Sequence, residues 1–233
     1  MKKRYIYSEQ SSLWGNPECI GFGSESFYIK EIDRKLSNEI IVKNHYSKKY
    51  YNATYIHLGL FENKILKGIL QYGYAMNPAS CSSVVEGTKQ DEYLELNRMW
   101  LSDEIEIKYP ESQAISMSIS FIKKKYPKIK WVQSFADERC GGFGIVYQAC
   151  SFSYYGEHKS DFWELDGVVY HNIQMTVSQD SKRFKGEAKK LQLNKDRAVK
   201  MSLRQFRYIK FLDQREKKKC LLKEQPYPKH YKE

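Results

Sequence analysis

The sequence predicts a mixed α/β sheet flanked by helices, with a basic C-terminal extension. Three observations lead there. Runs rich in β-formers alternate in "ATYIHLGLFEN" and "ILKGILQYGYAM", and the break at "ENK" makes them a hairpin. A helical stripe lies between two further apolar runs, so strand, helix and strand follow one another in the middle of the chain. Positive charge gathers at the end of the chain: from Lys182 onward there are 18 Lys and Arg against six Asp and Glu, while the rest carries 21 against 22.

The elements follow in order. Residues 1 to about 30 read as irregular, with turn signals in "WGNPE" and "GFGSES". In "EIDRKLSNEIIVKNHYSK", Ile32, Leu36 and Ile40 recur four apart and predict a helix. The hairpin follows, then a Gly-, Pro- and Ser-bearing loop from Asn77 to about Gln90, then a third strand in "EYLELNRMWL". Pro110 opens a helix in "ESQAISMSISFIKKKYP", striped by Ile115, Ile119, Ile122 and Tyr126. Glu111 suits its positive end, and Pro127 stops it. "KIKWVQSFA" reads as a strand, "GGFGIVYQA" as a short helix, and "FSYYG" and "SDFWEL" as two strands. The tail predicts a helix near Asn194–Leu203 and a strand in "FRYIKFLD". The expected division is a body of residues 1–178 and an extension of residues 179–233 packed on it.

A 233-residue chain suits one domain, or one domain with an appendage. No stretch approaches the ~20 apolar residues of a membrane span, and "MKKRYIYSEQ" lacks the apolar block of a secretion signal. The five cysteines are scattered without a CxxC pair, which argues against a zinc ribbon and for reduced thiols in a cytoplasm. The basic extension points to a polyanion, most often nucleic acid, or else to a solvated basic face. Aromatics interleave with the cations in "RQFRYIKFLD". Lys182, Arg183, Arg204, Arg207, Lys217 and Lys218 are the expected phosphate contacts.

The strand–helix–strand crossover places its two strands side by side and parallel, and ligands collect at the carboxyl ends of such strands. Arg98 lies near the end of the first and Asp137 just past the end of the second. Asp137 fits either a general base or an N-cap for the segment starting near Gly142, and Arg139 is placed to neutralise it. The "CGGFG" loop fits either a phosphate cradle or a plain turn. Tyr147 fits a base-stacking ring or a core aromatic. His45, with Tyr46 at the end of the first helix, fits a C-terminal cap held as a cation, or a base in the crevice. Arg98, a charge inside an apolar strand, needs a carboxylate, a phosphate or a bound donor beside it.

Taken together, "NHYSKK", "LNRMWL" with "ESQAISMSISFIKKKYP", "SFADERCGGFGIVYQACSFSYYGE" and "FRYIKFLDQREKKKCLLKEQPYPK" resemble the Mom family of phage DNA-modification proteins over roughly residues 44–229. The resemblance implies an N-acyltransferase (GNAT-like) fold and transfer of a carbamoylmethyl (acetamido) group to the exocyclic amine of adenine in double-stranded DNA, shielding phage DNA from host restriction. It implies functional roles for His45, Tyr46, Arg98, Asp137 and Tyr147. It also brings in iron, for which His45 and Asp137 are the weak candidate ligands, since no strong ligand cluster shows. The loop "LSDEIEIKYPESQ" lacks the glycines that hold a coenzyme A pyrophosphate and is acidic, so the donor stays open between an acyl-CoA and an aminoacyl-tRNA. The alternatives are an N-acyltransferase acting on another amine or on tRNA, and a non-catalytic nucleic-acid-binding protein.

Overall fold

The computed structural model describes residues 2–11, 17–140, 142–184 and 186–229. Ten strands form one sheet. They are β1 (Arg4–Ser11), β2 (Pro17–Gly23), β3 (Phe27–Glu31), β4 (Thr54–Glu62), β5 (Ile65–Gly73), β6 (Tyr93–Leu101), β7 (Trp131–Asp137), β8 (Ser153–Leu165), β9 (Val168–His171) and β10 (Val199–Phe211). Their order is β1-β2-β3-β4-β5-β6-β7-β10-β8-β9. The helices are α1 (Arg34–Asn44), α2 (Pro110–Lys125), α3 (Ile145–Ala149), α4 (Ile173–Thr176), α5 (Glu187–Leu193) and α6 (Gln214–Lys217).

Side-chain parity divides the sheet into two faces. Leu94 and Leu96 of β6, Val132 and Ala136 of β7 and Phe206 and Tyr208 of β10 join one apolar cluster with Ala114, Ile115, Phe121 and Ile122 of α2. The alternate residues, Gln133, Phe135 and Asp137 of β7 and Gln205 and Arg207 of β10, line a cavity on the opposite face. Helix α1 covers part of that second face. Its Ser37 Oγ meets His57 Nδ1 at 3.1 Å and accepts from Gln71 Nε2 at 2.8 Å.

The crossover is as expected: β6 and β7 pair in parallel, and α2 connects them. That pairing covers only Tyr93↔Trp131, Leu94↔Val132 and Glu95↔Gln133. Beyond it, β6 carries an irregularity against β5, where Gln71 faces Arg98 but Tyr72 faces Leu96, leaving Asn97 as the extra residue. Such a bulge bends a strand and re-aims its side chains. Here it stands where β6 and β7 cease to pair and the cavity begins.

Several expectations are corrected. Residues 4–11 and 17–31 are not irregular but hold three strands. Gly21 and Gly23 of "GFGSES" sit inside β2, while residues 14–16 of "WGNPE" lie outside the described residues; a Cβ on Gly21 would come within 2.3 Å of the Ile29 carbonyl oxygen, so the close approach of β3 requires glycine there. Helix α1 buries Ser37 and Ile41, while Leu36 is exposed, so its inner face is turned from the expected stripe. Its start is set by Asp33, whose side chain accepts from Lys35 N and Leu36 N. The "FSYYG" and "SDFWEL" segments form one strand, β8, and the tail helix ends at Leu193, before β10. The separation at residue 178 runs through the sheet itself: β10 lies between β7 and β8, pairing antiparallel with both. The tail aromatics fill the core for this reason. No helix among the described residues is long and apolar enough to cross a membrane.

Candidate active site

The cavity opens where β6 and β7 part and has a volume of about 910 Å³, within the range of roughly 300–1,000 Å³ of small-molecule sites. Its lining combines cations (Arg98, Arg139, Arg207) with rings (Tyr46, Phe135, Phe162). The Arg207 guanidinium stands 5.0 Å from the Phe135 ring centre, and that of Arg139 stands 4.7 Å from Phe162 and 5.5 Å from Tyr46. Three guanidiniums around one opening make a site for a phosphate or carboxylate.

Asp137 ends β7 and is buried. Its carboxylate accepts from the backbone N–H of Arg139 at 3.0 Å and from the guanidinium of Arg139 through both oxygens. The expected N-cap near Gly142 is not made; α3 is capped by Gly144, and Asp137 instead organises the turn at Glu138–Cys140. Both carboxylate oxygens are thus taken up by donors of Arg139. The evident effect is to hold Arg139 over the two aromatic rings.

Arg98 is half-buried. It donates from Nη1 to the Asn97 carbonyl at 2.7 Å and from Nε to the Lys49 carbonyl at 3.3 Å. Both partners are neutral, and among the described residues no carboxylate stands within ion-pair distance of it.

His45 caps α1, but it is not the expected cation. Its Nδ1 accepts from the Ser47 N–H at 3.1 Å, so the ring proton resides on Nε2. Burial, with Arg98 and Arg139 nearby, lowers its pKa to about 3. The helix terminus is outweighed by desolvation and two guanidiniums. The ring stacks against Tyr46 at 4.2 Å and does not itself line the cavity.

Tyr147 is not brought to this site. It packs in the apolar cluster on the α2 side, 5.4 Å from the ring of Tyr208 and 5.7 Å from that of Phe152. The short helix after the "CGGFG" loop folds back beneath the sheet, not over the cavity.

The six expected phosphate contacts are divided. Arg207 lines the cavity instead of standing on the surface. Arg204, one residue past Leu203 on β10, pairs with Glu138 at 2.8 Å and Glu157 at 3.7 Å. Lys182 is exposed in a turn whose Phe184 lines the cavity. Lys217 and Lys218 belong to the opposite end of the sheet, after Phe211, which faces Trp131. Lys217 pairs there with Glu224 at 2.7 Å. The side chain of Arg183 lies outside the described residues.

One lining residue escaped the sequence reading. Glu95, on β6, accepts from Gln133 Nε2 at 2.8 Å and from Asn97 Nδ2 at 3.0 Å. Removal from bulk water pushes its carboxyl up to about 7, against those two hydrogen bonds and the Arg98 and Arg207 charges, which pull it down. The signal was available: Glu95 and Asn97 alternate with Leu94 and Leu96, which gives a central strand a polar face.

Iron does not fit. Among the described residues no three His, Cys, Asp or Glu side chains cluster as ligands, Asp137 is occupied by Arg139, and His45 Nδ1 by Ser47. A coenzyme A pyrophosphate does not fit the loop ahead of α2 either. The backbone N–H groups of Glu106 and Ile107 already donate to the buried carboxylate of Glu62 at 3.2–3.3 Å. Pro110, at the start of α2, has no N–H to offer, and Glu111 follows it. An anionic ligand would meet fixed negative charge there.

Cys19, Cys81, Cys150 and Cys220 are free thiols. Among solved structures, the chain is similar to a ribosomal-protein-S5-alanine acetyltransferase from Vibrio fischeri (10% identity, TM-score 0.48, covering 83% of this chain and 97% of that one). It is similar also to a putative acetyltransferase from Salmonella typhimurium with its cofactor acetyl-CoA (11% identity, TM-score 0.47, covering 81% and 95%). Among curated proteins it is 44% identical to the methylcarbamoylase Mom of Escherichia phage Mu, over 98% of this chain and 94% of that protein. The model of the Mom protein family matches residues 26–229, and this chain belongs to that family.

Proposed function

We propose that the chain transfers a carbamoylmethyl group to the exocyclic amine of adenine in double-stranded DNA, within the cavity between β6 and β7, and so shields phage DNA from restriction in the host cell. Family membership and the methylcarbamoylase name of the phage Mu relative support the reaction. The observation that carries the site is the cavity itself, with guanidiniums and aromatic rings around one opening.

The amine lies inside the base stack, so the adenine is extruded to be reached, at a cost of a few kcal/mol. Rings such as Tyr46 and Phe135 offer it faces to stack on, each worth ~1–3 kcal/mol. Lys182 supplies a phosphate contact beside the cavity. Arg98 and Arg207 hold the donor or balance charge that develops during transfer. The pair of Asp137 and Arg139 keeps a third guanidinium in place. The donor is of the activated acyl class. A donor without a pyrophosphate, such as an aminoacyl ester, agrees better with the loop closed by Glu62.

The test is expression in a bacterium, digestion of its DNA to nucleosides and mass spectrometry. Deoxyadenosine heavier by one carbamoylmethyl group is expected. Unchanged nucleosides beside abundant folded protein would overturn the reading.

A further inference from the structure

Two carboxylates of the cavity have different partners. Asp137 faces a guanidinium through both oxygens. Glu95 is held only by neutral amides, one on each oxygen. Those amides are themselves incompletely used: Gln133 Oε1 and Asn97 Oδ1 are buried and find no partner among the described residues. The floor of the cavity therefore presents a carboxylate flanked by two orphaned carbonyl-type acceptors. Buried acceptors without donors are costly, by ~1–3 kcal/mol each. A ligand bearing N–H groups satisfies them, and a primary amine on a heteroaromatic ring is such a ligand.

We propose that Glu95 is the proton acceptor for the amine under modification, with Gln133 and Asn97 positioning both the carboxylate and the amine. The inference rests on the adenine reading above. The amine nitrogen bonds to the carbonyl carbon of a glycyl ester or thioester and the leaving oxygen or sulfur departs with the bonding electron pair, giving an N-glycyl amide isomeric with the carbamoylmethyl product. Addition of the glycyl amine at the ring carbon that bears the modified nitrogen, with breakage of the original ring carbon–nitrogen bond, converts the one into the other. One N–H proton passes to Glu95, which holds it as a neutral acid and returns it to the departing group. The carboxylate ends as it began.

The placement suits that task. Glu95 stands at the last paired position of β6 and β7, so the sheet fixes its backbone while the bulge at Asn97 opens space beyond it. The charged and titratable groups that share the cavity are Arg98 on β6, Arg207 on β10, Asp137 and Arg139 at the end of β7, His158 on β8, His171 on β9, Glu187 on α5, Lys48 and Lys49 after α1, and the phenols of Tyr46, Tyr50, Tyr51 and Tyr74. Arg98 and Arg207 favour the ionised form of Glu95, and burial opposes it more strongly. A carboxyl poised near neutrality is matched to proton transfer at cellular pH.

The experiment compares wild type, Glu95→Gln and Glu95→Asp, each in excess over duplex DNA in a clarified bacterial lysate that supplies the donor, with deoxyadenosine read by mass across pH 5.5 to 8.5 as about six steps of half a unit. Wild-type rate is expected to rise with pH through about 7 and then level. Glu95→Gln, which keeps the shape and the hydrogen-bonding floor, should lose ~10²–10⁴-fold in rate and lose that rise, while DNA binding is retained and the thermal midpoint does not fall. Glu95→Asp should keep the rise at reduced rate. It also serves as the test variant if the glutamine form does not fold. Glu95→Gln at wild-type rate, or Glu95→Asp without a pH dependence, would overturn the assignment. If wild type itself leaves deoxyadenosine unmodified, the adenine reading fails, and the role of Glu95 with it.

Discussion

The two faces of the sheet are made by the same strands and do opposite work. Along β7, Val132 and Ala136 enter the apolar cluster under α2, while Gln133, Phe135 and Asp137 turn to the cavity. Along β10, Phe206 and Tyr208 join the cluster, and Gln205 and Arg207 the cavity. One face is dry and packed; the other is polar and open. A residue's role here follows from its parity on a strand more than from its chemical type. Phe135 and Phe206 are both phenylalanines on strands, yet one lines the site and the other is core.

Neighbouring residues can break this comparison. Phe206→Ala should cost ~3–5 kcal/mol of stability, measured by urea denaturation, whereas Gln205→Ala should cost about 1 kcal/mol. Equal losses would refute the division into two faces. Arg98→Ala should reduce adenine modification ~10²–10³-fold with the thermal midpoint nearly unchanged. Tyr147→Ala should lose modification only together with stability, because it empties a core site. A stable Tyr147→Ala protein without activity would move Tyr147 back into the chemistry.

Smaller effects separate the titrating groups. Glu95 has its pKa raised by folding, so its ionisation weighs against the folded state as pH climbs toward and past about 7. Glu95→Gln should therefore raise the thermal midpoint at pH about 8 by a few degrees and leave it unchanged at pH about 4. His45 has its pKa depressed to about 3, so its contribution is present above its ordinary value of 6.5 and fades as pH falls toward 3. His45→Asn should flatten the acid side of the stability profile, read by thermal melts between pH about 4 and 7.

Much of the fold was legible. The hairpin, the parallel crossover and the start of α2 at Pro110 follow from local patterns, because alternation and helical spacing record burial on one face. Asp137 and Arg98 were legible as cavity residues because strand ends in a crossover open together. The three N-terminal strands were hidden by glycines that signal turns in isolation but permit close strand approach here. Glu95 was passed over beside the more conspicuous Arg98.

The sequence by itself determined the strand parities, the crossover and the concentration of positive charge toward the end of the chain, since each depends on near neighbours. The tertiary structure decided the rest. It inserted the basic tail as β10 between β7 and β8, divided its cations between two ends of the sheet, and buried Tyr147 on the side away from the cavity. It also gave Asp137 a guanidinium and Glu95 only amides. The reason is physical: a carboxylate's reactivity is set by the partners that distant strands bring to it and by the water they exclude, and neither is written in its local sequence.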